Sequence, residues 1–252
     1  MNKTLSRLLQ ACSLITLGAA SLYANAQTPN PTPAPAAPPP SAEEGSYLIG
    51  VNFGQSLHQF GITNEVSIDT IVRGLKDGMA GKKLEQADQH SLQAFIHSVM
   101  DNITQRNLKA GKEFLDKNSH DKGVTTTASG LQYKILSPGD KKAASPAATD
   151  QVTVQYRGKL LDGSEFDSSY SRATPTTFPV NGIIKGWQEA LVMMKPGAKW
   201  QLWIPAELAY GDKPRPGIPA GSMLNFEVEL VSIKPAPPAP GAPPAPPAPP
   251  KP

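Results

Sequence analysis

The chain of 252 residues has a single cysteine, Cys12, close to its N-terminus. The remaining sequence can therefore form no internal disulfide and offers no thiolate for catalysis or metal binding. Long apolar runs are equally scarce. The one near the N-terminus, Leu8 to Leu22, is interrupted by Gln10, Ser13, Thr16 and Gly18, which makes it a poor membrane span. No block of lysine and arginine stands out and the formal charge is only +3, so nucleic acid is not an expected partner. Nor does charge alone select a partner. No Ser/His/Asp constellation is visible, and no cofactor or metal is expected.

What the N-terminus does contain is a targeting pattern. Lys3 and Arg7 precede the interrupted apolar stretch, and Ala24-Asn25-Ala26 supplies a small-x-small cleavage pattern before Gln27. Residues 1–26 are read as a secretory signal peptide, with a membrane anchor as the alternative. Cys12 precedes most of the apolar core, which argues against lipoprotein processing at Leu9-Gln10-Ala11-Cys12. Removing Lys3 and Arg7 takes the formal charge from +3 to +1. The expected product is a soluble periplasmic protein, with envelope association as a further option.

Proline is abundant, and 18 of the 27 prolines fall in residues 29–40 and 235–252. Such tracts form extended polyproline II and pack no core. Residues 27–44 are read as a Pro/Ala-rich spacer and 235–252 as a tail without a fold of its own. A docking site for a proline-binding partner is the alternative for these tracts.

Residues 45–122 are read as an all-helical region. A first segment spans Gly45 to Phe60. Ser67 can cap a second helix with Ile68, Ile71, Val72, Leu75 and Met79 at helical spacing. A longer helix follows Gly81 and runs to about Asn118. Its stripe of Leu92, Ile96, Val99, Ile103, Ala110 and Phe114 is narrow, and its other faces are polar. A narrow stripe buries little alone and calls for a partner surface. A homodimer with intertwined helices is expected, against a monomeric helical hairpin. His90 and His97 share a face, but no carboxylate or cysteine completes a ligand set beside them. They are read as solvated surface histidines.

After Gly123 the texture changes to strands. Leu131–Leu136 and Gln151–Leu161 alternate apolar with polar. Asp162-Gly163 marks a tight turn. Ala198–Ile204 and Met223–Ile233 are further strands, and Gly186–Met194 is one short helix before Lys195-Pro196-Gly197. The fold class is α+β.

Four segments of residues 123–234 carry a resemblance. They are Val154-Gln155-Tyr156-Arg157-Gly158 through Gly163-Ser164-Glu165-Phe166-Asp167-Ser168-Ser169, then Gly182-Ile183-Ile184-Lys185-Gly186-Trp187, then Leu208-Ala209-Tyr210-Gly211, and Pro216-Gly217-Ile218-Pro219 leading to Asn225-Phe226-Glu227-Val228-Glu229-Leu230. In order and spacing they resemble the FKBP family of peptidyl-prolyl cis-trans isomerases. The resemblance implies a curved antiparallel sheet wrapped on one short helix, with an apolar pocket between them. It implies aromatic walls from Tyr156, Phe166 and Phe226, a floor from Trp187, and a lining from Ile183. The Ile184 N–H would donate to the substrate carbonyl. Asp167 and Tyr210 would be polar groups at the rim, Arg172 would steady that side, and Ile218 would line the mouth. Two departures lie at the rim: Thr176, where several members have an aromatic, and the charged, proline-rich Asp212-Lys213-Pro214-Arg215-Pro216. They bear on substrate preference and on affinity for macrolide inhibitors, a further ligand class the resemblance implies. The helical region is similar in architecture to the dimerisation domain of the Mip and FkpA-like periplasmic members.

The chemistry is coherent with this resemblance. A prolyl bond isomerises slowly because twisting breaks amide resonance, a barrier of about 18–20 kcal/mol. The twisted amide carries less charge separation than the planar one, so a dry apolar pocket favours it. Differential binding of that state needs no nucleophile. The expected activity is isomerisation of prolyl bonds in unfolded or partly folded exported proteins. The alternative is a non-catalytic peptide-binding module or holdase chaperone on the same dimeric scaffold. Gly158, Gly163 and Gly186 are read as serving backbone geometry.

Overall fold

The computed structural model describes residues 40–236. The expected signal peptide, residues 27–39 of the expected spacer and most of the C-terminal tail lie outside them. The described residues fall into two compact units, divided after His58.

The first unit is essentially helix α1, Ala42–Gln59, which begins three residues ahead of the expected start. Ser41 explains the early start: its Oγ accepts from the Glu44 N–H at 3.2 Å and its carbonyl accepts from the Gly45 N–H at 2.8 Å. Glu43 and Glu44 also sit at the positive end of the helix dipole. No residue of α1 is buried, and Tyr47, Leu48 and Ile49 are well exposed.

The second unit opens with α2, Ile68–Met79, capped by Ser67 as its sequence predicts; the Ser67 side chain accepts from the Thr70 N–H. Helix α3, Gln86–Asn118, starts with a reciprocal capping box between Glu85 and Asp88. His97 Nδ1 lies 2.8 Å from Asp101 Oδ2 on its exposed face, so a carboxylate does stand beside this histidine, contrary to the sequence reading. Among the described residues, however, no group of three metal-ligating side chains forms. The predicted apolar stripe divides along α3. Leu92 is exposed and Ile96 half-buried, whereas Val99 and Ile103 are buried. The buried line then continues through Gly111 and Asn118, which are not apolar side chains. Asn118 Nδ2 donates to Gln132 Oε1, and Gln132 Nε2 donates to the Leu115 carbonyl, both at 2.8 Å. The C-terminal end of the helix is therefore tied to Gln132 of the sheet that follows it, which the periodicity alone did not reveal.

Seven strands form one antiparallel sheet: β1 (Val124–Thr126), β2 (Gln132–Pro138), β3 (Gln151–Lys159), β4 (Glu165–Ser168), β5 (Thr176–Pro179), β6 (Ala198–Ile204) and β7 (Leu224–Lys234). The spatial order is β1-β2-β6-β7-β3-β4, with β5 also paired to β3. One edge of β3 is shared: its first half pairs with β5 and its second half with β4, while β7 lies along its whole other edge. Register shifts at Thr153/Val154 and Gly158/Lys159 bend the strand there. Strands β6 and β7 bury every second residue: Ala198, Trp200, Leu202, Ile204, and Leu224, Phe226, Val228, Leu230. Helix α4, Lys185–Met193, lays Trp187, Ala190 and Leu191 on that face. A Cβ at Gly186 would stand 2.5 Å from Ile204 Cγ2, so glycine is what lets α4 approach the sheet. The hairpin turn at Asp162-Gly163 is present, with Gly163 at φ +87° and its N–H bonded to the Leu160 carbonyl.

Candidate active site

The floor of the site is Trp187, held at the first turn of α4. Its ring meets those of Tyr156, Phe178 and Phe226 edge-on, with centroids 5.2, 6.0 and 5.1 Å away. Phe166 meets Phe226 at 5.4 Å and 89°. These are favourable edge-to-face arrangements that lock each ring in one orientation. The period-two alternation of β3 and β7 puts Tyr156 and Phe226 on the same face as α4. Phe166, from β4, completes the cluster across the hairpin.

The rings approach this closely because Gly158 lies beneath them. A Cβ there would stand 2.6 Å from both Phe166 Cζ and Phe226 Cε1. Gly158 has no positive φ, so its role is the space it leaves rather than a special backbone conformation. That is a finding beyond the backbone-geometry reading.

The polar side of the site is a closed triangle. Tyr156 donates from its hydroxyl to Asp167 Oδ2 at 2.6 Å. Arg172 donates from Nη1 to Asp167 Oδ1 at 2.6 Å and from Nη2 to the Tyr156 hydroxyl at 2.7 Å. The guanidinium also lies 5.6 Å from the Tyr156 ring centroid. Burial works against the Asp167 charge, but the bonds from Arg172 and Tyr156 prevail and hold its carboxyl below the ordinary range. Burial, then the bond to Asp167, pushes the Tyr156 hydroxyl up to about 12. Tyr156 is thus both a wall and a hydrogen-bonding member of the rim, a second role its place in an alternating strand does not disclose. Ser169 supports it from behind: fully buried, its Oγ accepts from the Tyr156 N–H at 2.8 Å.

Ile184 is the residue preceding α4. Its carbonyl accepts from Trp187 and Gln188, while its own N–H has no partner among the described residues. Gln188 Nε2 donates to the Ile183 carbonyl at 2.7 Å and fixes that turn. Ile183, Ile184, Tyr210 and Ile218 all pack on the core cluster that includes the aromatic rings. Tyr210 stands apart from the polar triangle, its ring 5.3 Å from the Arg215 guanidinium. Of the ten candidate residues, ring contacts join Tyr156, Phe166, Trp187 and Phe226, and hydrogen bonds add Asp167 and Arg172 through Tyr156. Ile183, Ile184, Tyr210 and Ile218 share only the core packing. Phe178, Gly158 and Ser169 touch the same cluster. Phe178 carried a signal in its aromatic type, but strand β5 is too short for its direction to be read. Thr176 pairs with Val154 in the β3–β5 ladder and is partly buried.

The chain was compared with known proteins. The family profile described as "FKBP-type peptidyl-prolyl cis-trans isomerase" matches residues 142–231. The profile described as "Domain amino terminal to FKBP-type peptidyl-prolyl isomerase" matches residues 42–135. The chain is 41% identical over 197 residues to the FKBP-type 22 kDa peptidyl-prolyl cis-trans isomerase of Escherichia coli (strain K12), covering 75% of this chain and 94% of that protein. It is 41% identical over 216 residues to the peptidyl-prolyl cis-trans isomerase Mip of Coxiella burnetii, covering 81% and 92%. The crystal structure of FkpA from Escherichia coli superposes with a TM-score of 0.56 at 37% identity, over 79% of this chain and 99% of that one. Two profiles in tandem, and relatives matched along most of their own length, support what the aromatic pocket suggests: the chain belongs to the FKBP-type peptidyl-prolyl cis-trans isomerases and is an enzyme of that activity.

Proposed function

We propose that the aromatic cluster receives the substrate proline ring between Tyr156, Phe166 and Phe226, above Trp187. The Ile184 N–H donates to the carbonyl beside the proline, and the triangle of Tyr156, Asp167 and Arg172 holds the polar rim in one arrangement. Tyr210 and Ile218 border the mouth. The pocket favours the twisted amide because it is dry, and the donor anchors one side of the bond while the other rotates. The clients are proline-containing unfolded or partly folded proteins in the periplasm, and the same pocket accepts macrolide inhibitors. The observation that carries this reading is the unpartnered Ile184 N–H beside the aromatic floor.

Ile184 offers a direct test. Its φ of −62° is the value proline adopts, and Ile183 before it is extended at φ −112° and ψ 179°. Ile184→Pro therefore keeps the backbone path and removes the donor. In a protease-coupled assay with a prolyl peptide, the variant is expected to lose about 3- to 10-fold in kcat/KM, the worth of one hydrogen bond made in the transition state. Activity within twofold of the parent would exclude Ile184 as the donor.

The helices of the N-terminal region serve, in this reading, to pair two copies. Helix α2 is strongly amphipathic, yet Ile68, Leu75 and Met79 are 61%, 57% and 89% exposed. An apolar face this open calls for a cover, and a second copy of the chain supplies an identical one. Light scattering on the processed protein is expected to give about twice the chain mass, and the double substitution Leu75→Asp with Met79→Asp is expected to halve it. A parent protein of single-chain mass would end the dimer reading.

A further inference from the structure

The long loop between Tyr210 and β7 has two arms. The outer arm is a small hairpin in which Arg215 and Ile218 exchange backbone hydrogen bonds at 2.9 Å. Its tip touches the pocket wall: a Cβ on Gly217 would meet Phe166 Cβ at 3.7 Å. The inner arm, Pro219 to Met223, belongs to a different neighbourhood. It runs against helix α3. Asn107 Nδ2 donates to the Ala220 carbonyl at 2.8 Å. A Cβ on Gly221 would lie 2.5 Å from the Thr104 carbonyl oxygen, and one on Gly111 would lie 3.0 Å from Met223 Cβ. Pro219 packs on Gly61, which is backed by the fully buried Ile103. Arg106 ties this corner together, donating to the Gly61 carbonyl at 3.0 Å and pairing with Glu65.

The two arms are joined at their base by the Gly221 N–H, which donates to the Gly211 carbonyl at 2.8 Å. Ile218, at the pocket mouth, is followed directly by Pro219, the first residue of the arm that runs against α3. Among the described residues, Asn107 is the one helix side chain that hydrogen-bonds to the loop backbone. A buried carbonyl bonded to a side-chain amide is costly to release, so the bond resists sliding of the inner arm.

We propose that Asn107 is a positioning residue for substrate binding: helix α3, through Asn107 and the Arg106–Gly61–Pro219 contact, sets the conformation of loop 211–222 and so the width of the pocket mouth. The isomerase then takes part of its substrate preference from a helix outside the sheet. This rests on Ile218 bordering the mouth.

The test uses the full-length processed chain, with Asn107→Asp as the isosteric variant that loses the donor, Asn107→Ala as its truncation, and Arg106→Ala acting on the same arm by a separate contact. With prolyl peptides differing in the residue before proline, the Asn107 variants are expected to raise KM about 3- to 10-fold, unequally between peptides, with kcat within about twofold. Amide hydrogen exchange at Ile218 and Gly221 is expected to accelerate, while that of β6 and β7 stays as in the parent. Unchanged KM, an equal fall in kcat on every peptide, or unchanged loop exchange in both Asn107 and Arg106 variants would overturn the proposal. Ile218→Ala separates the two readings. If it alters KM while the Asn107 variants do not, the mouth stands and the clamp fails; if it leaves KM unchanged, both fail.

Discussion

Asp167→Ala is expected to lower kcat/KM for a prolyl peptide about 10- to 100-fold, with most of the chain's stability retained. Hydrogen bonds to a charged group contribute roughly 1.5–3 kcal/mol each, and tenfold in rate corresponds to about 1.4 kcal/mol. Asp167 accepts two such bonds, from Tyr156 and Arg172, and without it the Arg172 guanidinium is free to leave the rim. Tyr156 would keep one partner at most, on a ring that also forms a wall of the pocket. Asp167→Asn separates charge from shape. It keeps an acceptor for Tyr156 or Arg172 and is expected to fall between parent and alanine. A change within twofold in both variants would remove Asp167 from the site.

The same triangle fixes the pH behaviour. Asp167 is held below the ordinary carboxylate range and Tyr156 is pushed up to about 12. From about pH 5 to about pH 9 the triangle therefore keeps one charge state, and kcat/KM is expected to be flat there. In acid the sign follows from Asp167: its folded carboxyl binds a proton less readily than the unfolded one. Its stabilisation is fully present above the unfolded value of about 3.9 and is lost as the pH falls through the lower folded value. In alkali the raised Tyr156 contributes stability below its unfolded value of about 10, which is lost as the pH rises toward about 12. The acid limb of stability should shrink in Asp167→Asn, and denaturant unfolding measured against pH checks this directly.

How far the sequence discloses these features depends on the length of each element and on the kind of residue that marks it. Strands β6 and β7 each bury alternate residues over seven positions, the last four residues of β7 falling outside the pattern, so their period of two is plain and their limits are read within a residue. Strands β1, β4 and β5 have only three or four residues, too few to show a period, and they exist because β2 and β3 offer them an edge. Helix α3 is legible as a helix, but its contact line passes through Asn107, Gly111 and Asn118, which a search for apolar side chains skips. Close approach and a bridging amide hold it to the loop and sheet instead. The candidate pocket residues are assigned through the resemblance of four ordered segments to a known family, since an isolated Trp187 or Phe226 reads as ordinary core. The Tyr156–Asp167–Arg172 triangle is less legible, because its geometry depends on the hairpin and the turn at Tyr170–Arg172 bringing three separate positions together.

The aromatic wall can be attacked from opposite sides, and the two results should differ. Phe226 is buried and touches Tyr156, Phe166 and Trp187. Phe226→Ala removes these contacts and leaves a cavity, and is expected to cost about 3–5 kcal/mol in denaturant unfolding. That is a large part of the roughly 5–15 kcal/mol by which domains are stable. Where the variant is still folded, kcat/KM should fall at least about 10-fold, because Trp187 and Phe166 lose the ring that orients them and water enters the dry pocket. Gly158→Ala deletes nothing. It sets a methyl 2.6 Å from the edges of Phe166 and Phe226, and the rings must tilt away from each other. Overpacking of this kind costs about 1–3 kcal/mol. If pocket geometry, rather than core volume, governs isomerisation, Gly158→Ala should lose about as much activity as Phe226→Ala while losing much less stability. Activity that tracks unfolding free energy across both variants would instead make the wall a packing element, and would move the catalytic effect to the Ile184 donor and the polar triangle.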